Sequence, residues 1–199
     1  MERDEMTKED LSERLGLIES MITEGRRTTE RWAWSFVLWG VAYYIAIAWA
    51  SFGRSEIAWP VTMVVAAIVT GALAARVKRN QPGRTMGRAI SAVWTAMGTS
   101  LFVVLMGLSI SGRYEAHTYM AIVGGMLAVA NGTSGIVLRW KLQQVCALVW
   151  LATALASCFA SETQLAVIFV TAIFFCQIVF GIYGMVAESR RRKGGLVHA

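Results

Sequence analysis

Six long apolar stretches dominate the chain, and short polar segments separate them. Each stretch holds 19 to 23 residues, close to the roughly 20 residues that a helix needs to cross a hydrocarbon layer about 30 Å thick. A backbone in lipid must satisfy its own hydrogen bonds, so these stretches are expected to be helices. The predicted spans are Trp32–Phe52, Ile57–Ala75, Ala89–Ile110, His117–Leu138, Leu142–Ala160 and Gln164–Val186.

The composition supports a membrane protein. Hydrophobic residues make up 56% of the 199 residues and charged residues 16%, against about 25% charged in an ordinary soluble domain. This balance excludes a soluble enzyme, a disulfide-rich secreted module and a disordered chain. The predicted fold is all-α: a polytopic membrane protein with six transmembrane helices arranged as three hairpins, preceded by a cytoplasmic amphipathic helix.

The positions of lysine and arginine predict the orientation. Seventeen of the 19 basic residues lie in the two termini and in alternate connections, and only Arg54 and Arg113 lie in the others. Basic residues concentrate on the cytoplasmic side, so both termini are predicted to be cytoplasmic. The net charge of +6 therefore reports topology, and no nucleic-acid partner is expected. The predicted segments are a cytoplasmic helix and juxtamembrane segment (1–31), a transmembrane domain (32–186) and a basic tail (187–199).

The N-terminal segment combines an apolar stripe with acidic charge. Leu11, Leu15, Ile18 and Ile22 recur at intervals of four, three and four residues, which places them on one helix face. Residues 1–25 contain eight acidic and three basic residues, and this charge disfavours binding to anionic lipid. The stripe is a candidate partner-binding surface for the basic 76–88 connection, a second copy of the chain or a soluble protein. The alternative is a solvated helix that leads into the first span.

Catalytic chemistry is not expected from this sequence. No aspartate, glutamate, lysine, arginine or histidine lies near the middle of a predicted span, although ion-coupled transport and hydrolysis generally need such a group. The three cysteines lack metal-ligand spacing and are interpreted as small hydrophobic residues. We therefore predict no enzyme activity, no cofactor and no catalytic or metal-binding residue.

The fourth predicted span carries the first candidate site within the membrane. Its polar, glycine-containing stretch is Asn131, Gly132, Thr133, Ser134 and Gly135. Such a stretch can unwind and line a ligand cavity. The competing interpretation is close helix packing through small residues at helical spacing. That packing face would comprise Ala121, Gly125, Ala128, Gly132 and Gly135.

Gln177 in the sixth predicted span is the second candidate. Asn131 and Gln177 lie at similar depths from the outer ends of their spans. The two amides are therefore expected either to bond across the helix interface or to form a polar spot in a small-molecule cavity. An aromatic stripe at Trp32, Phe36, Trp39 and Tyr43 is interpreted as helix packing or lipid contact.

Two stretches resemble bacterial six-span inner-membrane proteins of unknown function. They are residues 31–44 (RWAWSFVLWGVAYY) and residues 138–143 (LRWKLQ). The resemblance implies the bacterial cytoplasmic membrane and no particular activity. The function expected is a non-enzymatic scaffold or regulator that engages a cytoplasmic protein or a homo-oligomer through the N-terminal helix. The alternative is a small permease or exporter for an uncharged or lipophilic compound, with its cavity near Asn131 and Gln177.

Overall fold

A computed structural model of the protein describes residues 8–53, 57–78, 85–113 and 115–196. This part of the chain consists of helices and the turns between them, and it contains no β-strand. The helices are α1 (Lys8–Arg31), α2 (Ala33–Gly53), α3 (Ala58–Lys78), α4 (Thr85–Ile110), α5 (Ala116–Val137), α6 (Lys141–Ser157), α7 (Glu162–Ile173), a π-helical segment (Phe174–Val179) and α8 (Phe180–Leu196).

The prediction of an all-helical chain with several membrane-length apolar helices is confirmed. Five helical stretches of the described residues are long and apolar enough to cross a membrane. The fifth predicted run forms α6, which has only 17 residues and measures about 25 Å at 1.5 Å per residue. It is shorter than its apolar run because residues 158–160 turn the chain into α7. Gln164 then accepts a hydrogen bond from the Ser161 backbone at 3.0 Å and caps the new helix.

The last helical stretch is continuous from Glu162 to Leu196 and extends past the predicted end of the sixth span. The predicted basic tail (187–199) is therefore helical as far as Leu196, and residues 197–199 lie outside the described part. Residues 1–7 of the predicted N-terminal segment also lie outside it. The rest of that segment forms α1, which meets α2 at a turn on Trp32.

The aromatic stripe of the first span packs inside the bundle. Phe36 and Tyr43 are buried. The Phe36 ring meets Trp94 and Phe180 edge-on, with ring centroids 4.9 and 5.1 Å apart. Edge-to-face pairs of this kind add to the stabilisation from burial, so the stripe holds α2 against α4 and α8.

Helices α5 and α6 form the closest hairpin, through small residues. A Cβ atom added at Gly124 would lie 3.1 Å from the Trp150 carbonyl oxygen, and one at Gly135 would lie 2.9 Å from the Gln144 backbone nitrogen. The predicted packing face is correct at Gly135 and wrong at Gly125, where an added Cβ would have no neighbour within 4 Å. The contact face is rotated from the predicted one because α6 covers the side of α5 that carries Gly124.

A second close contact joins α2 to the last helical stretch. A Cβ atom added at Gly40 would lie 3.0 Å from Gln177. One added at Gly181 would lie 3.0 Å from the Ala33 carbonyl oxygen, and one added at Gly184 would lie 2.5 Å from the Ala33 Cβ. The order of these contacts shows that the two helices are antiparallel. Small residues thus let the first and last long apolar helices approach closely, as in other membrane bundles.

The α5–α6 contact predicts different effects for two neighbouring glycines. Gly135→Ala should destabilise the protein by about 1–3 kcal/mol, because the added methyl group meets backbone that cannot yield easily. Gly132→Ala should be tolerated, since its Cβ would lie 3.6 Å from Ala147, an ordinary contact distance. Thermal unfolding in detergent measures both variants. Equal stability of the two would contradict the close contact at Gly135.

Candidate functional site

The Asn131–Gly135 stretch is a regular part of α5 and does not unwind. Asn131 and Ser134 are fully buried, whereas Gly132 is half-buried and Thr133 is exposed. The four candidate residues therefore face different ways on the helix. Only Asn131 and Ser134 contribute polar groups to the interior.

The Asn131 and Gln177 amides do not bond to each other. Asn131 Nδ2 donates to the Leu127 carbonyl of its own helix at 2.8 Å. Neither Asn131 Oδ1 nor Gln177 Oε1 has a hydrogen-bond partner within the protein. Both amides nevertheless lie in the interior, with 0% and 2% of their surfaces exposed.

The interior contains polar groups that the sequence analysis missed. Both amide atoms of Gln143 and the indole nitrogen of Trp150 are buried without a hydrogen-bond partner. Trp94 donates its indole N–H to the Ser134 hydroxyl at 3.0 Å. Gln143 was missed because it lies at the start of its apolar run, where a polar residue normally faces water. In the structure the turn at 138–140 brings it under α5.

The π-helical segment is the second missed feature. It carries Cys176 and Gln177, which are both buried, and a Cβ added at Gly40 would lie 3.0 Å from Gln177. The Cys176 thiol lies 3.8 Å from the Cys146 carbonyl oxygen on α6. The segment thus joins α2 and α6 to the last helix. Short π-helical turns within α-helices occur frequently at functional sites.

Two surface depressions lie at the α6–α7 turn and on α1. A surface groove of about 470 Å³ lies at the α6–α7 turn and includes Phe159 and Val167. A second surface depression, of about 610 Å³, lies on α1 beside Gly16. Neither depression includes Asn131 or Gln177. The same part of the chain contains no group of three side chains that could hold a metal ion.

The candidate partner-binding stripe lies on the N-terminal half of α1. Every residue from 11 to 20 is exposed. The exposed fractions of Leu11, Leu15 and Ile18 are 48%, 55% and 52%, and Ile22 is half-buried. The stripe is therefore open in the described part of the chain, and residues 79–84 of the 76–88 connection, its proposed docking surface, lie outside that part.

The C-terminal half of α1 is held firmly against the bundle. Arg26 donates from Nε to the Leu138 carbonyl oxygen at 2.7 Å and from Nη2 to the Arg139 carbonyl oxygen. The last carbonyl groups of a helix have no partner within it and attract positive charge. Arg26 thus caps the end of α5 across the bundle. Gly87 at the start of α4 lies against Thr28, since an added Cβ there would meet the Thr28 hydroxyl at 3.1 Å.

Glu30 and Arg191 form an ion pair at the same end of the bundle. The Glu30 carboxylate is 3.1 Å from the Arg191 guanidinium, and their side chains are 5% and 47% exposed. Burial raises the pKa of the Glu30 carboxyl above its ordinary value, and the positive charge of Arg191 opposes that rise. These contacts connect α1 to α4, to the α5–α6 turn and to α8. We refer to this set of contacts as the α1 clamp.

Comparison with protein-family models, with curated proteins and with solved structures found no match to this chain.

The Glu30–Arg191 pair predicts a pH-dependent stability defect. Burial raises the pKa of the Glu30 carboxyl in the folded protein. The contribution of this carboxyl to the stability of the fold is therefore complete below its unfolded-state pKa and is lost as the pH rises through its folded-state pKa. The Glu30 carboxyl is more fully ionised at pH 8 than at pH 4.5, so Arg191→Ala removes the partner of more buried negative charge at pH 8. The loss should be about 1 kcal/mol, or about 2–4 °C in Tm for a protein of this size. At pH 4.5 the loss should be smaller.

Thermal unfolding at both pH values measures the defect, with two controls. Arg190→Ala removes a neighbouring exposed arginine and should have little effect at either pH. Glu30→Gln combined with Arg191→Ala should abolish the pH dependence of the loss. A loss that is the same at pH 4.5 and pH 8 would show that Arg191 does not stabilise the Glu30 carboxylate.

Proposed function

We propose that the protein is a non-enzymatic membrane scaffold or regulator that crosses the membrane six times and engages a partner through α1. Both termini are cytoplasmic in this proposal. The sequence resemblance favours the bacterial cytoplasmic membrane. One observation carries the functional part: exposed Leu11, Leu15 and Ile18 lie on a helix whose other half is held to the bundle.

The α1 clamp supports the proposed orientation. It gathers parts of four basic segments at one end of the bundle, because Arg26 reaches the Arg139 carbonyl, Thr28 meets Gly87 and Glu30 pairs with Arg191. Those segments hold most of the basic residues, and such a concentration is typical of the cytoplasmic side.

The path of the chain supports a sixth span in α6. Helix α5 ends at the α1 clamp, and the last helical stretch returns there at Arg191. That stretch starts at Glu162 and is long enough to cross the membrane, so its start lies at the opposite side. Helix α6 connects the two ends, and its contacts run from Gln144 beside Gly135 to Ala154 beside Gly124. It therefore runs antiparallel to α5 from Gly135 to Gly124.

The exposed stripe supports docking of a protein. Residues 1–25 are acidic overall, so an anionic membrane surface would repel them. Apolar side chains on a helix that is exposed on all sides gain free energy from a protein surface, at about 1.5–3 kcal/mol for each leucine or isoleucine buried. Since the α1 clamp fixes one end of the helix, a partner docked on the other end would also be positioned relative to the membrane.

The permease alternative has less support. It draws on the unpartnered amide atoms of Asn131, Gln143 and Gln177. A transporter also needs a cavity of ligand size, and the two depressions described above lie elsewhere. The scaffold proposal needs no cavity.

The topology proposal depends most on α6, so reporter fusions should test that helix directly. A fusion after Lys141 should report the cytoplasm and a fusion after Ser161 the periplasm. Fusions after Lys193 and Arg113 give the matched cytoplasmic and periplasmic controls. If the Ser161 fusion reports the cytoplasm, α6 does not cross and the six-span proposal is wrong.

The docking proposal predicts protection of α1 in native membranes. Trypsin cleavage after Arg14 should be slower in native membranes than in dilute detergent, where partners dissociate. Ile18→Asp should accelerate the cleavage in membranes by roughly tenfold to a hundredfold, the factor that corresponds to one buried isoleucine. Leu17→Asp is the matched control, since Leu17 is 62% exposed and lies off the stripe. Equally fast cleavage of the wild type in both media would contradict docking.

A further inference from the structure

The exposed stripe of α1 continues the surface by which α1 packs on the bundle. Leu11, Leu15, Ile18 and Ile22 are followed in the same spacing by Gly25 and Thr29, and these last two residues are buried. In the heptad notation of coiled coils, Leu15, Ile22 and Thr29 are a positions, and Leu11, Ile18 and Gly25 are d positions. A single seam is thus covered at one end and open at the other.

We propose that the open part of this seam pairs with α1 of a second copy in a parallel coiled coil. The inference rests on the proposed function and identifies the partner as the chain itself. Two copies inserted in one membrane with the same orientation present their α1 helices side by side and in the same direction. The seams then meet with Leu11, Leu15, Ile18 and Ile22 of each copy at the interface.

The charges beside the seam complement each other in this pairing. Arg14 is a g position and Glu19 is the e position of the following heptad, and both side chains are exposed. Positions g and e′ face each other across a parallel coiled coil and determine partner choice. Each copy would therefore place Arg14 opposite Glu19 of the other, giving two attractive pairs. Glu13 is an f position and points away from the seam.

The short length of the seam is compatible with pairing in a membrane. Two heptads alone would be marginal as an isolated helix in water. Here the α1 clamp supplies a formed helical end from which residues 8–24 extend. Insertion in one membrane also confines the helices, so association occurs at a raised effective concentration.

Disulfide trapping tests the geometry of the pair. In a Cys158→Ser background, which removes the exposed native thiol, Ile18→Cys places a thiol at a d position of the full-length protein. Mild oxidation of native membranes should convert it to a covalent dimer several-fold faster than Leu17→Cys, the adjacent control off the seam. Leu11→Cys, at the other d position, should behave like Ile18→Cys. Equal rates at positions 17 and 18 would indicate random collision and would overturn the proposal.

A charge exchange tests the partner without altering the apolar seam. Arg14→Glu and Glu19→Arg should each slow trapping at Leu11→Cys, because like charges then face each other. The combined exchange should restore the rate. Residues five apart do not face each other on one helix, so restoration requires pairing between copies. A combined variant that remains as slow as the single variants would overturn the parallel register.

These outcomes separate the present inference from the proposed function. Protection of Arg14 from trypsin in native membranes without trapping at position 18 would retain docking but assign it to a different protein. Absence of both protection and trapping would contradict the two proposals together. A disulfide formed between a Leu11→Cys copy and an Ile22→Cys copy in the same membrane would indicate an antiparallel pair. That result would contradict the parallel pairing.

Discussion

The bond from Arg26 to the end of α5 determines how the α1 end of the bundle is built. Helix α5 ends at Val137, and Arg139 takes a positive φ of 49°, which turns the chain into α6. The Leu138 and Arg139 carbonyl groups in this turn take their donors from elsewhere. Arg26 supplies them from a residue 112 positions earlier in the chain. Its positive charge also suits the negative end of the α5 dipole. With the other contacts of the α1 clamp, this side chain fixes the position and the rotation of α1.

Fixing the rotation of α1 decides which residues are covered and which remain open. Gly25 and Thr29 face the bundle and are buried. Leu11, Leu15, Ile18 and Ile22 lie one or two heptads earlier on the same face of α1. This part of α1 extends beyond the helices that cover Gly25 and Thr29. The exposure of Leu11, Leu15 and Ile18 therefore follows from the geometry of the α1 clamp. The proposed pairing would therefore use the same face of α1 that packs on the bundle at Gly25 and Thr29.

Much of the fold was predictable from the sequence, whereas the choice of helix face was not. An apolar run fixes the approximate extent of a helix because lipid forbids an unpaired backbone. The same run does not specify whether Gly124 or Gly125 meets a neighbour, since both lie within small-residue patterns. Asn131 and Ser134 of the candidate stretch are buried, but Thr133 is exposed. The π-helical segment around Gln177 has no sequence signature of its own, and Arg26 bonds to backbone carbonyls, which every residue type presents.

Amide hydrogen exchange of α1 in nanodiscs that hold one chain each tests the central claim most directly. The account predicts slow exchange for residues 26–31, which the α1 clamp holds, and rapid exchange for residues 12–20, which extend freely without a partner. Arg26→Ala should accelerate exchange in the first group and leave the second unchanged. Equal protection along the whole helix in single-chain nanodiscs would contradict an open seam, and rapid exchange throughout would contradict the clamp.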